Sequence, residues 1–357
     1  MPPLFNPPSG GLDIIYKLCS NIAYRGYKVA IVFLKNEYSY PNLTPFKASA
    51  AVAATKIFFL MREIVGRNYN YSILHNIDIK FAEKNLSPGF ETDKICATDW
   101  PLADAVYKHV KEHPDTEGFY LVQTFEDHQL YSGKNAKLAK EAYDLKLRKI
   151  VTGKGLYDKF ANETPKPLRF QLAINEEFRN KVDMQDRYPF SVLMPLRDHE
   201  SKGSKYAIEA IQTLKGMSEK YKFIAYGNMD PRDVPSYIEY HYRPNTSELA
   251  DLYNKAAIFV CPSIIEGFGL PVLEAMASGC ATITTDSIGI REFAVNNENS
   301  IIVPTKDPIA IANSVAKIAN DAILKKYISS NGIKTAERFI YKNMYNSFAE
   351  ALGFKKV

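Results

Sequence analysis

The sequence predicts an α/β protein built from two domains, each with a parallel sheet. The chain has 357 residues, which is too long for one ordinary domain and suits two of about 170 residues each. Short, continuous apolar runs alternate with helical patterns, as in parallel sheets that helices cover on both faces. A polar region with three prolines, 162–189, separates two such alternations. We therefore place the linker between the domains there.

The first alternation starts with a helical pattern over 12–25. Only nine residues precede Gly10, so we expect any strand before it to be short or absent. The strands predicted in this half are apolar runs rich in β-formers, namely 28–33, 118–123, 148–152 and 169–172.

The second alternation is more regular. Its predicted strands are 190–195, 222–227, 257–262 and 281–284, and its predicted helices are 206–217, 247–255, 270–278 and 309–320. We expect a first domain over 1–170, a second over 171–335, and a last helix in 336–357 that packs back toward the first domain. Two βα domains joined in this way place a ligand cleft between them, at the carboxyl ends of the strands.

Composition argues for a soluble globular protein. Hydrophobic residues make up 46% and charged residues 24% of the chain, which is an ordinary balance. The sequence has no run of about 18 apolar residues, so it predicts no membrane span. The first residues lack a signal-peptide pattern, so we expect a cytoplasmic protein. The four cysteines are far apart and are expected to be buried thiols, since their spacing fits neither a disulfide framework nor a zinc site.

The net charge of +5 is mild, but one window is basic. Its helical spacing predicts a solvated helix face. A second interpretation is a surface that contacts an anionic membrane or a phosphorylated acceptor. We do not expect nucleic acid as a partner, because no nucleic-acid module accompanies the window. The basic residues are Lys134, Lys137, Lys140, Lys146, Arg148, Lys149, Lys154 and Lys159.

The most informative stretch is 261–280, in which a buried strand leads through a loop into a helix. Gly267 and Gly269 in the loop allow a ligand to approach the backbone closely. Pro271 suits a first helical turn, and Gly279 stands where the helix should stop. The free N–H groups at the helix start form an anion site that suits a diphosphate.

Two acids and two bases are expected around this loop. The carboxylates of Glu266 and Glu274 could each accept hydrogen bonds from a sugar diol. They would repel a diphosphate unless cations intervened, and Arg197 and Lys202 follow the first strand of the second domain at the same sheet edge. Taken singly, Glu274 could be a first-turn acid that favours the helix dipole, and either base could be an ordinary loop charge.

The spacing of these acids resembles a known family. Glu266 and Glu274 match the Glu-x7-Glu signature of the retaining family-4 glycosyltransferases of GT-B fold, within the wording Glu-Gly-Phe-Gly-Leu-Pro. Arg197 and Lys202-Gly203 resemble its cations for the donor diphosphate, and 288–292 resembles its Gly-Gly-x-x-Glu loop. The resemblance covers 190 to about 350. In the first half, Gly10-Gly11 before a helix resembles the family's glycine loop more loosely.

The resemblance implies two Rossmann-like, doubly wound domains and a retaining hexosyl- or deoxyhexosyltransferase. Such an enzyme moves sugar from a nucleotide sugar to a glycan or lipid-linked acceptor, in polysaccharide or glycoconjugate synthesis. Glu266, Arg197 and Lys202 would be catalytic. The donor would be bound by Glu274, Gly267, Phe268, Gly269, Leu270, Gly10 and Gly11. Two alternatives remain open, a sugar phosphorylase and a non-catalytic sugar-binding protein of the same fold.

Three further expectations complete the site. The chain contains no Asp-x-Asp, so we expect no metal, with Arg and Lys neutralising the diphosphate in its place. No cofactor is expected beyond the nucleotide sugar, which is a substrate. Asp127 and His128 are candidates for the cleft, with a simple loop role as the alternative. A basic face on anionic lipid would place the protein at the inner face of the membrane.

Overall fold

The computed structural model describes residues 10–34, 77–82, 91–128, 130 and 133–354. The segment before Gly10, where we expected a short or missing strand, lies outside the described residues. Within them, parallel strands and helices form an N-terminal half that ends with strand β6 and a C-terminal half that begins with strand β7.

In the N-terminal half, the described residues form two parallel sheets and four helices. One pairs β1 (Val29–Leu34) with β2 (Ile77–Ala82), and the other has β3 (Lys94–Ala97), β4 (Glu117–Val122), β5 (Arg148–Val151) and β6 (Leu168–Arg169) in that order. The helices of this half are α1 (Gly10–Tyr24), α2 (Trp100–Glu112), α3 (Gly133–Tyr143) and α4 (Lys154–Phe160).

The C-terminal half is built on one parallel sheet of six strands. They are β7 (Tyr188–Leu196), β8 (Lys222–Gly227), β9 (Ile238–Tyr242), β10 (Ala256–Cys261), β11 (Ala281–Thr285) and β12 (Ile301–Val303). Their order in space is β9-β8-β7-β10-β11-β12, which is the Rossmann order 3-2-1-4-5-6. The helices that follow β7 are α5 (Ser204–Met217), α6 (Thr246–Lys255), α7 (Leu270–Ala277), α8 (Pro308–Asn320), α9 (Ala322–Ala336) and α10 (Tyr341–Ala351).

Strand β10 is continuously apolar because it lies at the centre of the six-stranded sheet. Every residue of β10 is buried, because helices cover both faces and neighbouring strands cover both edges. Helix α6, which leads into β10, begins with a capping box in which Asn245 and Glu248 satisfy each other's backbone N–H groups.

The two halves pack against each other. One hydrophobic cluster contains buried residues of both, such as Ile150 and Phe259. The last helix, α10, lies against α1, where Lys17 Nζ donates to the Tyr341 hydroxyl at 2.6 Å. The chain therefore passes between the halves twice, once after β6 and once between α9 and α10.

The basic window differs in part from its prediction. Lys134, Lys137, Lys140 and Lys146 are exposed, as expected for a solvated face. Lys149 instead lies on β5 and is 3% exposed, and its ammonium donates to the backbone oxygens of Tyr143 and Leu145. Lys149 is buried on an inner strand, where backbone carbonyls accept hydrogen bonds from its ammonium. The prediction of a solvated helix face, which rested on helical spacing, is therefore wrong for this residue.

Candidate active site

The strand order of the C-terminal half creates a crevice between β7 and β10. The chain continues from β7 toward one edge of the sheet and from β10 toward the other, so the loops after these two strands diverge. Arg197 follows β7 directly, and Glu266 lies in the loop that follows β10. The predicted site residues are therefore at the topological switch point.

A glycine holds these two loops together. Gly203 has a φ of +66°, and a Cβ on it would lie 2.0 Å from the Pro262 carbonyl oxygen. The Ile264 N–H donates to the Ser201 carbonyl at 2.8 Å across the same contact. Only glycine fits there, and the contact fixes Lys202 against the loop that carries Glu266.

Both carboxylate oxygens of Glu266 are held. Lys202 Nζ donates to Oε2 at 2.9 Å, and the Ser263 hydroxyl donates to Oε1 at 2.7 Å. The side chains of Lys202 and Glu266 are 23% and 12% exposed. The pair is thus oriented yet reachable, which suits a site where a hydroxyl-rich, anionic ligand binds.

Glu274 is held by a pair of tyrosines. The Tyr253 hydroxyl donates to Glu274 Oε2 at 3.1 Å and lies 2.7 Å from the Tyr226 hydroxyl. Burial raises the pKa of Glu274 to about 7, although the Tyr253 hydrogen bond and the charge of Arg197 lower it. Arg197 interacts electrostatically with both Glu266 and Glu274. The four predicted polar residues therefore form one electrostatic cluster.

The loop that contains Gly267 and Gly269 has the conformation that its sequence predicts. Gly269 has a φ of +96° and precedes α7, which begins at Leu270. Phe268 is 4% exposed and its ring packs on Phe293 and Phe339, so the side chain belongs to the core. At Gly267, a Cβ would lie 2.0 Å from the Gln123 carbonyl oxygen of the N-terminal half.

Helix α7 ends at a glycine, as the sequence predicts. Gly279 has a φ of +82°. Its N–H donates to the Met276 carbonyl, and the Cys280 N–H donates to the Ala275 carbonyl. This is a Schellman motif.

The N-terminal candidates have local partners. Asp127 pairs with Lys159 at 2.7 Å, and His128 Nδ1 accepts from the Leu130 N–H at 3.3 Å. Gly10 and Gly11 are the first two residues of α1, whereas we predicted a loop before the helix. A helix boundary is the least certain part of a sequence pattern.

Three functional candidates escaped the sequence patterns. They are Ser263, which fixes Glu266, and Tyr226 and Tyr253, which fix Glu274. Tyr253 lies on the buried face of α6, where an aromatic residue is ordinarily read as core. The only indication in the sequence is general: a tyrosine near a buried strand end has a hydroxyl that needs a hydrogen-bond partner.

The described residues contain neither a metal-binding cluster nor a helix that could cross a membrane. No group of three or more His, Cys, Asp and Glu side chains in them could hold a metal ion. Over the same residues, no helix has the length and apolar character that crossing a bilayer requires. The four cysteines, all described, are free thiols.

The C-terminal half is similar in sequence to known proteins. Residues 175–335 match the family model "Glycosyl transferases group 1". The capsular polysaccharide biosynthesis glycosyltransferase CapM of Staphylococcus aureus is 30% identical over 166 residues, which is 42% of this chain and 44% of CapM. An N-acetylgalactosaminyltransferase of Campylobacter jejuni that acts on N,N'-diacetylbacillosaminyl-diphospho-undecaprenol is 29% identical over 43% of this chain and 42% of its own length. The chain thus spans less than half of either relative.

Similarity to solved structures extends over the whole chain. Anabaena HepE in complex with UDP-glucose superposes with a TM-score of 0.72, at 13% identity, over 98% of this chain and 97% of HepE. A sucrose-phosphate synthase of Thermosynechococcus elongatus gives a TM-score of 0.68, at 14% identity, over 97% of this chain and 93% of that one. At these identities the similarity concerns the fold. The predicted fold class is confirmed: the chain has the GT-B fold of two Rossmann-like domains, and its residues 175–335 match the glycosyl transferases group 1 family.

Proposed function

We propose that this protein is a retaining glycosyltransferase that moves a sugar from a nucleotide-sugar donor to a glycan or lipid-linked acceptor. The observation that carries the proposal is the cluster at the switch point, where Lys202 and Glu266 are 2.9 Å apart and Arg197 interacts with both Glu266 and Glu274. A donor that carries both hydroxyls and a diphosphate needs carboxylates and cations in one place.

Each residue has a role in this proposal. The bond between the sugar's anomeric carbon and the diphosphate oxygen breaks, and the acceptor's hydroxyl oxygen bonds to that carbon. The hydroxyl proton passes to the leaving diphosphate, on which negative charge builds as the bond breaks. Arg197 and Lys202 stabilise that charge, which is transition-state electrostatics. Glu266 accepts hydrogen bonds from donor-sugar hydroxyls, and Glu274 accepts them from the ribose diol. Backbone N–H groups at the start of α7 support the diphosphate.

Two finer features belong to the same proposal. Retention of anomeric configuration rests on the Glu-x7-Glu resemblance, and metal independence rests on the paired cations at the diphosphate position. The relatives support a place in polysaccharide or glycoconjugate synthesis, since CapM is named for capsular polysaccharide biosynthesis and the Campylobacter enzyme for a diphospho-undecaprenol acceptor.

A donor screen tests the proposal. The purified chain is mixed with UDP-, GDP-, dTDP- and ADP-sugars, and thermal unfolding shows which nucleotide stabilises it. Transfer to an acceptor lipid or glycan is then followed with and without EDTA, and proton NMR gives the anomeric configuration of the product. We expect activity that EDTA does not abolish and a retained configuration. Activity that requires free phosphate and no nucleotide would indicate a phosphorylase, and sugar binding without turnover a non-catalytic module.

The exposed lysines of the N-terminal half extend the proposal to the acceptor side. Lys134, Lys137 and Lys140 lie on one face of α3, followed by Lys146, and we propose that this face contacts anionic lipid near the acceptor. Flotation with liposomes that do or do not contain phosphatidylglycerol tests this. Equal flotation with both would contradict it.

A further inference from the structure

The loop 287–292, here called the docking loop, connects the proposed catalytic acid to the N-terminal half. Its backbone pairs with both backbone polar groups of Glu266, since the Glu266 N–H donates to the Ser287 carbonyl at 2.9 Å and the Gly289 N–H donates to the Glu266 carbonyl at 3.1 Å. A shift of this loop therefore shifts the Glu266 backbone with it.

The docking loop has a strained turn at its tip. Ile288 has a φ of +67° and a ψ of −61°, and the Gly289 N–H also donates to the Ser287 carbonyl at 2.8 Å. These values describe a γ-turn of the rare, strained kind, and a β-branched residue is a poor choice for it. Such outliers persist where the surroundings hold them.

The surroundings that hold Ile288 belong mainly to the N-terminal half. Its side chain packs on a hydrophobic cluster that consists of N-terminal residues, such as Phe125, together with Ile265. A Cβ on Gly155, in helix α4, would lie 2.7 Å from Ile288 Cγ2. The absence of a side chain at Gly155 thus leaves a socket that the isoleucine fills.

A carboxylate makes the second contact between the docking loop and the N-terminal half. Glu292 is 10% exposed; its Oε2 accepts from the Lys154 N–H at the start of α4 at 2.8 Å, and its Oε1 accepts from Arg169 Nη2 at 2.5 Å. Both donors lie in the N-terminal half. A carboxylate at a helix start is favoured by the helix dipole and by the free N–H groups.

We propose that Ile288 and Glu292 are positioning residues, through which docking of the N-terminal half sets the position of Glu266. Neither touches the donor in this proposal. They act through the backbone hydrogen bonds of Glu266, so the catalytic acid is correctly placed only while the two halves are in contact. The effect on catalysis rests on the proposed function, whereas the mechanical link does not.

The test fills the socket from the opposite side. Gly155→Ala leaves the C-terminal half unchanged and places a methyl group against Ile288. Gly216→Ala is the matched control, because Gly216 is also helical and a Cβ there meets no atom within 4 Å. Alanine favours a helix over glycine, so both variants should fold. Glu292→Gln removes the charge of the second contact without changing its shape.

Hydrogen–deuterium exchange gives a readout that does not depend on activity. We expect Gly155→Ala and Glu292→Gln to lose amide protection in peptides that cover Glu266 and the docking loop, and Gly216→Ala to keep it. Adding Ile288→Ala to Gly155→Ala removes Cγ2 and should restore protection, whereas adding Ile288→Val keeps Cγ2 and should not. Unchanged protection in a folded Gly155→Ala variant, or equal loss in the Gly216→Ala control, overturns the proposal.

Kinetics give the second readout. In Gly155→Ala and Glu292→Gln we expect kcat to fall about 10- to 100-fold, with the KM for the donor little changed, because misplacement by about an ångström has costs of this order. A change confined to KM would contradict a positioning role. If the wild-type chain transfers sugar from no donor, the proposed function fails, and the exchange experiment still decides whether the docking loop couples the halves.

Discussion

Each half of the molecule contains a lysine–carboxylate pair, and the two pairs are nearly alike in geometry. Lys202 and Glu266 are 2.9 Å apart, with side chains 23% and 12% exposed. Lys159 and Asp127 are 2.7 Å apart, with side chains 29% and 18% exposed. An ion pair's distance and burial therefore do not distinguish a ligand site from a local contact.

The surroundings of the two pairs do distinguish them. Lys202 and Glu266 are at the switch point of a six-stranded sheet, with Arg197 close enough to interact with the same carboxylate. Lys159 lies over the rings of Tyr143 and Phe160, 5.5 and 5.8 Å from their centroids. The ammonium of Lys159 thus has two aromatic rings as well as Asp127 for partners, whereas the partner of the Lys202 ammonium is Glu266, the acid that a ligand would share.

Two acids near the second pair have raised pKa values, as Glu274 does near the first. Burial raises the pKa of Glu126 to about 8 and that of Asp99 to about 6. Glu126 is hydrogen-bonded by the Tyr120 hydroxyl. Glu126 is thus largely protonated at neutral pH, and a neutral carboxyl suits hydroxyl groups better than a diphosphate. If Lys202 binds a diphosphate as proposed, the second cation, Arg197, is what distinguishes its surroundings from those of Lys159.

The largest expected effect tests the two carboxylates. Glu266→Ala should lower the transfer rate by about 100-fold or more, because an electrostatic contact made in the transition state is lost. Asp127→Ala should lower it much less. Initial rates with the donor found in the screen give the measurement, and circular dichroism checks the fold of both variants. Equal losses in the two variants would break the comparison.

The two lysines are expected to differ by a smaller factor. Lys202→Ala should raise the Kd for the nucleoside diphosphate that best stabilises the wild type by about tenfold or more, since a hydrogen bond to a charged group contributes about 1.5–3 kcal/mol. Lys159→Ala should leave that Kd unchanged, and both variants should unfold near the wild-type temperature. Calorimetric titration measures the Kd, and equal affinity of Lys202→Ala and wild type would count against the site.

The smallest expected effect is a pH dependence of stability, which comes from the raised pKa values of Glu126 and Glu274. A carboxyl whose pKa is higher in the folded than in the unfolded chain binds a proton that the unfolded chain has released, so stability falls as pH rises between the two values. For Glu126 this window runs from its ordinary pKa of 4.5 to about 8, and for Glu274 from 4.5 to about 7. The unfolding temperature of the wild type, relative to those of Glu126→Gln and Glu274→Gln, should therefore fall as pH rises across these windows. A constant difference from pH 5 to 8 would refute the raised pKa values.

Sequence patterns predicted the centre of the C-terminal half more closely than its edge. Strands β7, β8, β10 and β11 lie within two residues of the predicted runs, because buried parallel strands are continuously apolar. Both edge strands were missed. Strand β12 has only three residues, 301–303, and β9, 238–242, has only Ile238 buried, with two tyrosines and a histidine among its residues. Exposure on one edge removes the apolar run on which the prediction depended.

Within the site, sequence reasoning succeeded where the chemistry is local and failed where it depends on folding. Helix α7 directly follows the loop that contains Gly267 and Gly269, so the backbone geometry of both could be predicted from 261–280. The tyrosine pair behind Glu274 joins residues that are 27 positions apart, and the contact of the docking loop with Gly155 joins the two halves. A single sequence carries no signal for such contacts, because nothing in either segment alone requires the other.

The double passage of the chain between the halves has a consequence for dividing the protein. The two connecting segments run side by side, since the Ile174 N–H donates to the Phe339 carbonyl at 3.0 Å and Gln171 Nε2 donates to the Arg338 carbonyl at 2.6 Å. A cut after Ile174 would leave α10, which covers α1, attached to the wrong fragment. Neither fragment would be self-contained, and a split reporter built on this fold should carry residues 337–354 on the N-terminal piece.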